Sequence, residues 1–389
     1  MKLETFHQAS PVETRTASQN NTWVEVRLGS ILRNLARIRS KMRPFTRVMA
    51  VVKANAYGHG IVSVSKALEG QVDFLGVGSL KEASLLREQG VTAPLFLFGR
   101  LFPDEIFLAL QMKLTLTVSS KEEARAISEM ASRYFRKKKV PIHIKIDTGM
   151  NRLGIPQNQA FSEIQRVASY PALQLEGIYT HFPTAERFPD PFTQGQLDGF
   201  EKLIEDLRRI GISFRFRHAA NSAGALRFKS HFLNLVRPGI ALYGIYPHPS
   251  FESEIELEAA LSLKSRIVFL KQINSGESVG YGREFIAERQ TQISVLPVGY
   301  AHGYPFQLSK KAQVLCQGKR FPLAGRVCMD SLTVDLGFFE KVSIGEEVVL
   351  LGVSEKETIR AEELASFAGT IPYEIVTRLD PGIPRIYKD

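Results

Sequence analysis

Short apolar runs alternate with amphipathic stretches from residue 23 to about residue 246, and this alternation constrains the fold more than any other feature. Helices are predicted between the runs, for example at 81–88, 121–136 and 194–209, and Ser119-Ser120 offers an N-cap to the second of these. Alternating strands and helices indicate a parallel sheet. About eight such units favour a closed (β/α)8 TIM-like barrel, with an open doubly wound sheet as the alternative. The predicted strands are 48–52, 74–77, 95–98, 114–118, 142–146, 175–179, 214–217 and a segment around 235–236.

The pattern changes after about Pro247, where strand-like segments follow one another with turn residues between them. The predicted strands there are 265–270, 292–296, 312–315 and 347–351, and one helix is predicted at 361–367. This pattern is typical of a mostly β domain. The predicted organisation is a flexible extension at 1–21, a barrel at 22–248 and a mostly β C-terminal domain at 249–389.

Composition narrows the class of protein. Hydrophobic residues make up 44% of the chain and charged residues 23%, which is typical of a soluble globular protein. The net charge of +10 could indicate nucleic-acid or membrane binding, but the basic residues are scattered apart from the run at 136–139. We interpret that run as a solvated helix C-terminus. No nucleic-acid or membrane partner is predicted, and a small-molecule enzyme with an anionic substrate or cofactor fits the charge.

The two cysteines, Cys316 and Cys328, are too few for a disulfide framework and lack zinc-ligand spacing, so no metal site is predicted. No apolar run approaches the roughly 20 residues that a membrane-spanning helix needs. Residues 1–21 are polar and lack the apolar segment of a secretory signal. A cytoplasmic location is therefore expected.

In a barrel of this kind, reactive residues lie just after the carboxyl ends of the strands. Lys53 directly follows the first predicted strand, where partial desolvation would lower its pKa and favour the nucleophilic free amine. The alternative is a lysine that extends from the strand end into solvent. Arg237 and Gly239 follow the eighth strand, and residues 218–222 follow the seventh, the two positions where barrels often bind phosphate. Plain helix N-capping by Asn221-Ser222 is the other interpretation. A lysine together with a phosphate site fits pyridoxal 5'-phosphate.

Several segments, in the same order along the chain, resemble the bacterial alanine racemase family of fold-type III pyridoxal-phosphate enzymes. The segment VVKANAYGHG at 51–60 is similar to the cofactor-attachment signature of that family. The other segments that carry the resemblance are KIDTGMNRLG at 145–154, HAANS at 218–222, VRPGIALYG at 236–244, VGYG at 279–282, LPVGY at 296–300, GRVCMD at 325–330 and PYE at 372–374. The resemblance covers nearly everything after the N-terminal extension.

The resemblance implies a role for each site residue. Lys53 would bind the cofactor covalently and act as one catalytic base. Tyr281 would be the base on the opposite face, supplied across a homodimer interface, and Arg237 would face the pyridine nitrogen. The residues implied to hold the phosphate are Tyr57, Ser222, Gly239, Ile240 and Tyr373. Arg152 would contact the phenolate oxygen and the substrate, and His181 would support Tyr281 and Arg237. Met329 would lie beside the substrate carboxylate, and Tyr300 would narrow the access channel. Lys145 resembles a lysine that is carbamylated in many members and braces Arg152.

The implied activity is the interconversion of L- and D-alanine by two bases, which would supply D-alanine for cell-wall peptidoglycan. A racemase must deprotonate both enantiomers, so a base on each face of a planar carbanion is the expected arrangement. Taken singly, the positions have plainer interpretations: Tyr281 could be a surface aromatic and His181 a buried structural histidine. We expect His218 to be structural, or to support a residue that contacts the cofactor, and leave it outside the catalytic set.

Two departures from the family pattern affect substrate choice. His302 stands where Asp is more common in the family, and Asn151 where Gly is common. A broad-specificity or serine-preferring racemase would share most of these motifs, so the exact substrate is left open. Two rival functions are a barrel-type pyridoxal-phosphate decarboxylase and a non-catalytic pyridoxal-phosphate-binding protein. Arg237 speaks against the decarboxylase, which would place an acidic residue at the ring nitrogen. The β domain and Tyr281 speak against the binding protein.

Overall fold

The computed structural model describes residues 20–135, 138–187, 189–227, 230, 232–339 and 341–389. Most of the predicted extension at 1–21, and the first two residues of the basic run at 136–139, lie outside the described residues. The chain divides into two compact units. One comprises Leu28–Glu258, and the other comprises the N-terminal segment up to Arg27 together with Ala259–Asp389. Among the described residues, no helix combines the length and the apolar character that a membrane crossing requires.

The first unit is a nearly closed barrel, which in its described part has eight parallel strands in a continuous order. The eighth strand pairs with the first, and the seventh approaches the eighth through the Asn234 N–H, which donates to Arg217 O at 3.0 Å. Each predicted apolar run overlaps one of these strands, so the predicted (β/α)8 barrel is confirmed. The barrel strands are Arg47–Val51, Phe74–Val77, Leu95–Leu97, Thr115–Val118, Val140–Asp147, Leu173–Tyr179, Phe216–His218 and Leu235–Val236.

Helices connect the barrel strands and bury one face each against them. Ser120 caps its helix by accepting a hydrogen bond from the Glu123 N–H at 3.2 Å, and the Glu123 carboxylate accepts one from the Ser119 N–H at 2.8 Å. The bond to Ser120 is the predicted N-cap, and the Glu123 carboxylate adds a bond to the residue before the cap. The barrel-unit helices are Leu28–Lys41, Ile61–Leu68, Leu80–Glu88, Pro103–Gln111, Lys121–Tyr134, Gln157–Ala168, Pro191–Arg209 and Ser222–Arg227, with short 3-10 turns at Ala185–Arg187, Ile240–Tyr243 and Pro249–Phe251.

The barrel interior is filled with side chains, as expected of a barrel this size. Part of this filling is a buried cluster of large side chains: Met49, Phe74, Phe96, Tyr179, Phe216 and Leu235. Two buried histidines lie among these aromatic rings. The His218 ring stacks on Tyr179 with centroids 4.7 Å apart, and the His143 ring lies 4.9 Å from Phe96.

The second unit is mostly β, as predicted. Its largest sheet has the strand order Lys319–Pro322, Gln313–Cys316, Glu347–Ser354, Leu261–Arg266, Thr22–Arg27 and Arg385–Lys388, with Glu357–Ile359 paired to Glu347–Ser354. A smaller sheet contains Phe269–Ile273, Thr291–Leu296 and Leu332–Gly337, and Ser278–Val279 pairs with Phe285–Ile286. The described helices of this unit are Ala361–Ala368 and Pro372–Thr377.

Three details differ from the structure, two in the division into units and one in a strand. Strand Thr22–Arg27, which we placed in the barrel, pairs with Leu261–Arg266 and Arg385–Lys388 of the β unit. Residues 249–258, which we placed in the C-terminal domain, group with the barrel unit. The single strand predicted at 265–270 is in fact the end of one strand, Leu261–Arg266, and the start of another, Phe269–Ile273.

Candidate active site

Lys53 begins a turn at the carboxyl end of the first barrel strand. The next four residues, Ala54, Asn55, Ala56 and Tyr57, all have φ between 52° and 54°, in the left-handed region. Such a conformation costs roughly 1–2 kcal/mol for each non-glycine residue, so it must be held by its surroundings. The Glu82 carboxylate supplies part of that support, because it accepts hydrogen bonds from the Ala54 N–H at 2.7 Å and from the Gly78 N–H at 2.8 Å.

The Lys53 side chain is accessible to solvent, yet protein surrounds it closely enough to perturb its titration. Its ammonium group lies 5.9 Å from the centroid of the Phe98 ring. Desolvation lowers the pKa of Lys53, and the positive charges of Arg152 and Arg237 lower it further, against an opposing effect from Glu82. The free amine is therefore more populated than in an ordinary lysine, as a nucleophile and proton acceptor requires.

Arg237 is buried at the end of the eighth strand, and its guanidinium is held from several sides. It donates hydrogen bonds to His218 Nδ1 at 2.9 Å and to His181 Nδ1 at 3.1 Å. The backbone oxygens of Thr180 and Ala219 each accept one more at 2.9 Å. Burial lowers the pKa of Arg237 to about 10, so the group remains a cation at neutral pH. His181 and Arg237 are thus in contact.

Lys145 and Arg152 belong to the same charged group. Burial lowers the pKa of Lys145 to about 8, and Arg152 and Arg237 contribute to the lowering. The loop that carries Arg152 is shaped by Asp147, whose Oδ1 accepts hydrogen bonds from the Gly149 N–H at 2.9 Å and the Asn151 N–H at 3.0 Å. Asn151 has φ 55°, a conformation that Asn and Gly tolerate better than other residues. This explains how Asn serves here in place of Gly.

A cradle of small polar groups lies where the loops after the seventh and eighth strands meet. Ser222 Oγ accepts hydrogen bonds from the Gly239 N–H at 2.9 Å and from the Ala241 N–H at 3.3 Å. The Tyr57 hydroxyl lies against the α-carbon of Gly239, in the space that a Cβ atom there would occupy. Ile240 is buried between these backbone groups. Hydroxyls and backbone N–H groups that converge in this way are suited to bind a phosphate.

The four remaining predicted residues belong to the β unit. Three of them have large exposed fractions: 73% for Tyr281, 55% for Met329 and 41% for Tyr300. Residues 325–329 contact both the turn that carries Tyr281 and the turn that carries Tyr300. Arg326 of this segment packs on Gly282, the residue after Tyr281. A Cβ atom added at Gly282 would lie 3.3 Å from Arg326 Cζ. The Tyr300 N–H donates to Cys328 O at 3.0 Å. Tyr373 is half-buried in helix Pro372–Thr377.

His302, the second departure from the family pattern, ends the short turn that begins at Tyr300. Its Nδ1 accepts a hydrogen bond from the Gly299 N–H at 3.2 Å. An aspartate carboxylate can accept the same bond, so the exchange of Asp for His preserves this local contact. What changes is the charge carried by the turn.

The fold is a barrel unit and a mostly β unit, and the carboxyl ends of the barrel strands carry a lysine of lowered pKa and a group of hydroxyls and backbone N–H groups suited to bind an anion. The family model for the N-terminal domain of alanine racemase matches residues 26–247, and the model for the C-terminal domain matches residues 260–387. The chain is therefore an enzyme of the alanine racemase family.

Individual relatives are similar over almost the whole chain. An alanine racemase from Desulforamulus reducens is 42% identical, covering 94% of this chain and 98% of the relative, and one from Methanococcus maripaludis is 40% identical with the same coverage. Among solved structures, alanine racemase from Clostridium difficile 630 has a TM-score of 0.89 at 34% identity, with 95% of this chain and 96% of that chain covered. The Bacillus anthracis enzyme with bound L-Ala-P has a TM-score of 0.88 at 36% identity, with 95% of each chain covered.

Two polar residues of the barrel interior were missed by the sequence analysis. His143 Nδ1 lies 2.8 Å from His218 Nε2, and His143 Nε2 lies 3.5 Å from Glu176 Oε2. The alternation of strand residues could have placed His143 on the same inward face as Lys145, two positions later. No comparable signal marks Glu176, because a register shift in its strand alters the face on which it lies. His218, expected to be structural, contacts Arg237 directly.

Proposed function

We propose that this chain interconverts L- and D-alanine with pyridoxal 5'-phosphate as its cofactor, and that it works as a homodimer. The observation that carries the proposal is the meeting of Lys53, Arg237 and the Ser222–Gly239 cradle around one barrel mouth, in an enzyme of this family. The supply of D-alanine for cell-wall peptidoglycan is part of the proposal. So is a cytoplasmic location, which rests on two free thiols, Cys316 and Cys328, a usage typical of reducing compartments.

The residues present fit the chemical groups of the cofactor. A phosphate suits the hydroxyl and backbone N–H groups of the cradle, where the Tyr57 hydroxyl takes up the space that a side chain at 239 would need. A cationic guanidinium at the ring nitrogen suits an unprotonated pyridine, because arginine donates hydrogen bonds and does not accept them. Lys53 supplies the amine for covalent attachment. When bound, the cofactor supplies an electron-withdrawing system that acidifies the α-proton of the amino acid.

The barrel residues hold charge and protons in defined places. Lys53, with its lowered pKa, accepts the α-proton on one face and returns it. Arg152 adds a positive charge next to Lys53 and Lys145, suited to orient the substrate carboxylate and the phenolate oxygen of the cofactor. His181, fixed by Arg237, directs its remaining nitrogen towards the second base. Lys145 would brace Arg152 as a carbamate.

The second base is assigned to Tyr281 of the other subunit of a dimer. The exposed fractions of Tyr281, Tyr300 and Met329 support this assignment, since large side chains left accessible on one chain are typical of a surface that a second copy covers. Tyr300 and Met329 would then narrow the access channel and contact the substrate carboxylate, and Tyr373 would complete the phosphate contacts. A single chain would lack the base on one face.

A decarboxylase is the rival function on the same architecture. The buried Arg237 argues against it, because decarboxylation needs the stronger electron sink of a protonated ring, which an acidic partner would maintain. No acidic side chain takes part in the Arg237 contacts given above.

Incubation of the cofactor-loaded protein with L-alanine in deuterated water tests the proposal. We expect D-alanine that carries deuterium at Cα, and no reaction by Lys53→Ala. Release of carbon dioxide would indicate the decarboxylase, and the absence of turnover together with bound cofactor would indicate a binding protein. A parallel assay with L-serine measures the substrate range.

A further inference from the structure

We propose that Glu176 is a positioning residue that acts on Arg237 through two buried histidines, and this inference rests on the proposed function of Arg237 at the cofactor ring. The four groups form a continuous line: Arg237 Nη1 to His218 Nδ1 at 2.9 Å, His218 Nε2 to His143 Nδ1 at 2.8 Å, and His143 Nε2 to Glu176 Oε2 at 3.5 Å. The line runs from the carboxyl ends of the barrel strands into the barrel interior. We call it the histidine relay.

The direction of every proton in the relay follows from its first member. An arginine can only donate, so His218 Nδ1 must be the accepting nitrogen and the proton of neutral His218 must lie on Nε2. That proton points to His143 Nδ1, which must therefore accept. The proton of His143 then lies on its own Nε2, which faces the Glu176 carboxylate at the ion-pair distance of 3.5 Å, without a hydrogen bond of ordinary geometry. Both imidazoles are held as Nε2–H tautomers.

The carboxylate at the end of the relay provides a counter-charge for Arg237. The guanidinium is buried, and the four acceptors around it are two imidazole nitrogens and two backbone oxygens, all neutral in this arrangement. Each imidazole presents its lone pair towards the cation and its N–H towards the anion. The two ring dipoles are thus aligned between opposite charges, an arrangement that stabilises buried charge without direct contact.

A bulge and a glycine shape the strand where Glu176 meets His143. Strand Leu173–Tyr179 has a bulge against Val140–Asp147: Ile142 pairs with Leu175 and His143 pairs with Gly177, which leaves Glu176 as the extra residue. A bulge of this kind redirects one side chain. Residue 177 must also be glycine, because a Cβ atom there would lie 2.6 Å from the His143 ring. The bulge therefore turns Glu176 towards His143, and the glycine makes room for the His143 ring.

If Glu176 is replaced by a residue without an acceptor, the His143 Nε2–H loses its partner in a buried place. The proton then gains by moving to Nδ1, where it faces His218 and drives the proton of His218 to Nδ1 in turn. Two N–H groups would then meet between His218 and Arg237, and the guanidinium would lose its fixed position. Glutamine at 176 keeps an acceptor oxygen and should preserve the tautomers.

Nitrogen-15 NMR of histidine-labelled protein reads both tautomers directly, with or without cofactor. We expect Nε2–H on His143 and His218 in the parent protein and in Glu176→Gln, and Nδ1–H signals in Glu176→Leu. Glu163→Leu is the matched control, because the Glu163 side chain has the same 13% exposed fraction and also contacts cations, yet lies outside the relay. It should leave the imidazole signals unchanged.

D-alanine formation by the holoenzyme provides the second measurement. Loss of the relay should lower kcat of Glu176→Leu by about tenfold or more, with partial recovery in Glu176→Gln, which restores the acceptor but not the charge. Parent tautomers in Glu176→Leu, or equal damage by Gln and Leu, would overturn the proposal. If Glu176→Leu does not fold, an Nδ1–H tautomer in the parent or in Glu176→Gln overturns it as well. The NMR result stands whether or not the chain proves to racemise alanine, so the two proposals fail separately.

Discussion

The Tyr57 hydroxyl lies in the space that a Cβ atom on Gly239 would occupy, so the anion cradle depends on the absence of a side chain at 239. Gly239→Ala should displace the tyrosine hydroxyl and weaken pyridoxal-phosphate binding by about tenfold, or about 1.4 kcal/mol. An absorbance titration of the apoprotein with the cofactor measures the affinity. Gly195→Ala is the control, because no atom lies within 4 Å of an added Cβ at that helix position. Equal affinities in the two variants would argue against the cradle.

Lys145 should react with carbon dioxide in a pH-dependent way. Only the neutral amine forms a carbamate, and with a pKa of about 8 the neutral fraction grows as the pH rises through 8. At a fixed concentration of dissolved ¹³CO₂, the carbon-13 carbamate signal of the protein should increase across that range. It should disappear in Lys145→Met and remain in Lys271→Met, where the lysine is exposed. Persistence of the signal in Lys145→Met would assign it to another amine.

The left-handed turn after Lys53 should tolerate glycine in a way that an ordinary helix does not. Ala54 is exposed with φ 54°, and glycine relieves its backbone strain at some cost in unfolded-state entropy. We expect Ala54→Gly to raise the free energy of unfolding by about 0.5–1 kcal/mol. Ala126→Gly, in helix Lys121–Tyr134, should lower it by about 1 kcal/mol. Urea denaturation of both variants gives the comparison, and a loss of stability in both would show that the turn is not strained.

Tyr281→Phe should affect the two directions of racemisation unequally in isotope exchange. Removal of the phenol eliminates the base on one face, while Lys53 still exchanges the α-proton on the other. In deuterated water, the variant should therefore incorporate deuterium into one enantiomer of alanine far faster than into the other. The parent protein should exchange both. An equal loss for both enantiomers would mean that Tyr281 supports the site without abstracting a proton.

Mixing two inactive variants provides a further test of a site shared between subunits. If Tyr281 acts across an interface, a mixture of inactive Lys53→Ala and inactive Tyr281→Phe subunits can form hybrid dimers in which one site has both bases. We expect activity to reappear on mixing, up to about a quarter of the parent value for random pairing with each site independent. Sedimentation measurements on the same samples confirm that dimers are present. No recovery in exchanged dimers would place both bases on one chain.

Much of the barrel could be predicted because buried parallel strands require continuous apolar runs, which the chain displays clearly. Residues that follow such runs, among them Lys53, Ser222 and Arg237, could be assigned to the reactive end for the same reason. The sheet to which a strand belongs is a different matter. Thr22–Arg27 has the composition of a barrel strand, and only its long-range partners, Leu261–Arg266 and Arg385–Lys388, place it in the β unit.

The interior of the site was harder to predict than its rim. Glu176 lies beside His143 because of a bulge, and a one-residue shift in a strand moves every later side chain to the other face. The left-handed turn at 54–57 is equally hidden, because alanine and tyrosine do not indicate positive φ values. Both features depend on tertiary contacts, those of Gly177 with His143 and of Glu82 with the turn.

The pairing of Thr22–Arg27 with Arg385–Lys388 also has a bearing on how the protein assembles during translation. Strand Thr22–Arg27 must wait until Arg385–Lys388 has been synthesised before its parallel neighbour exists, whereas Leu28–Glu258 contains every strand of its own barrel. Such long sequence separation slows the last pairing and leaves an open strand edge in the meantime. A stop codon just before Arg385 would therefore leave the barrel intact in outline and expose that edge to aggregation.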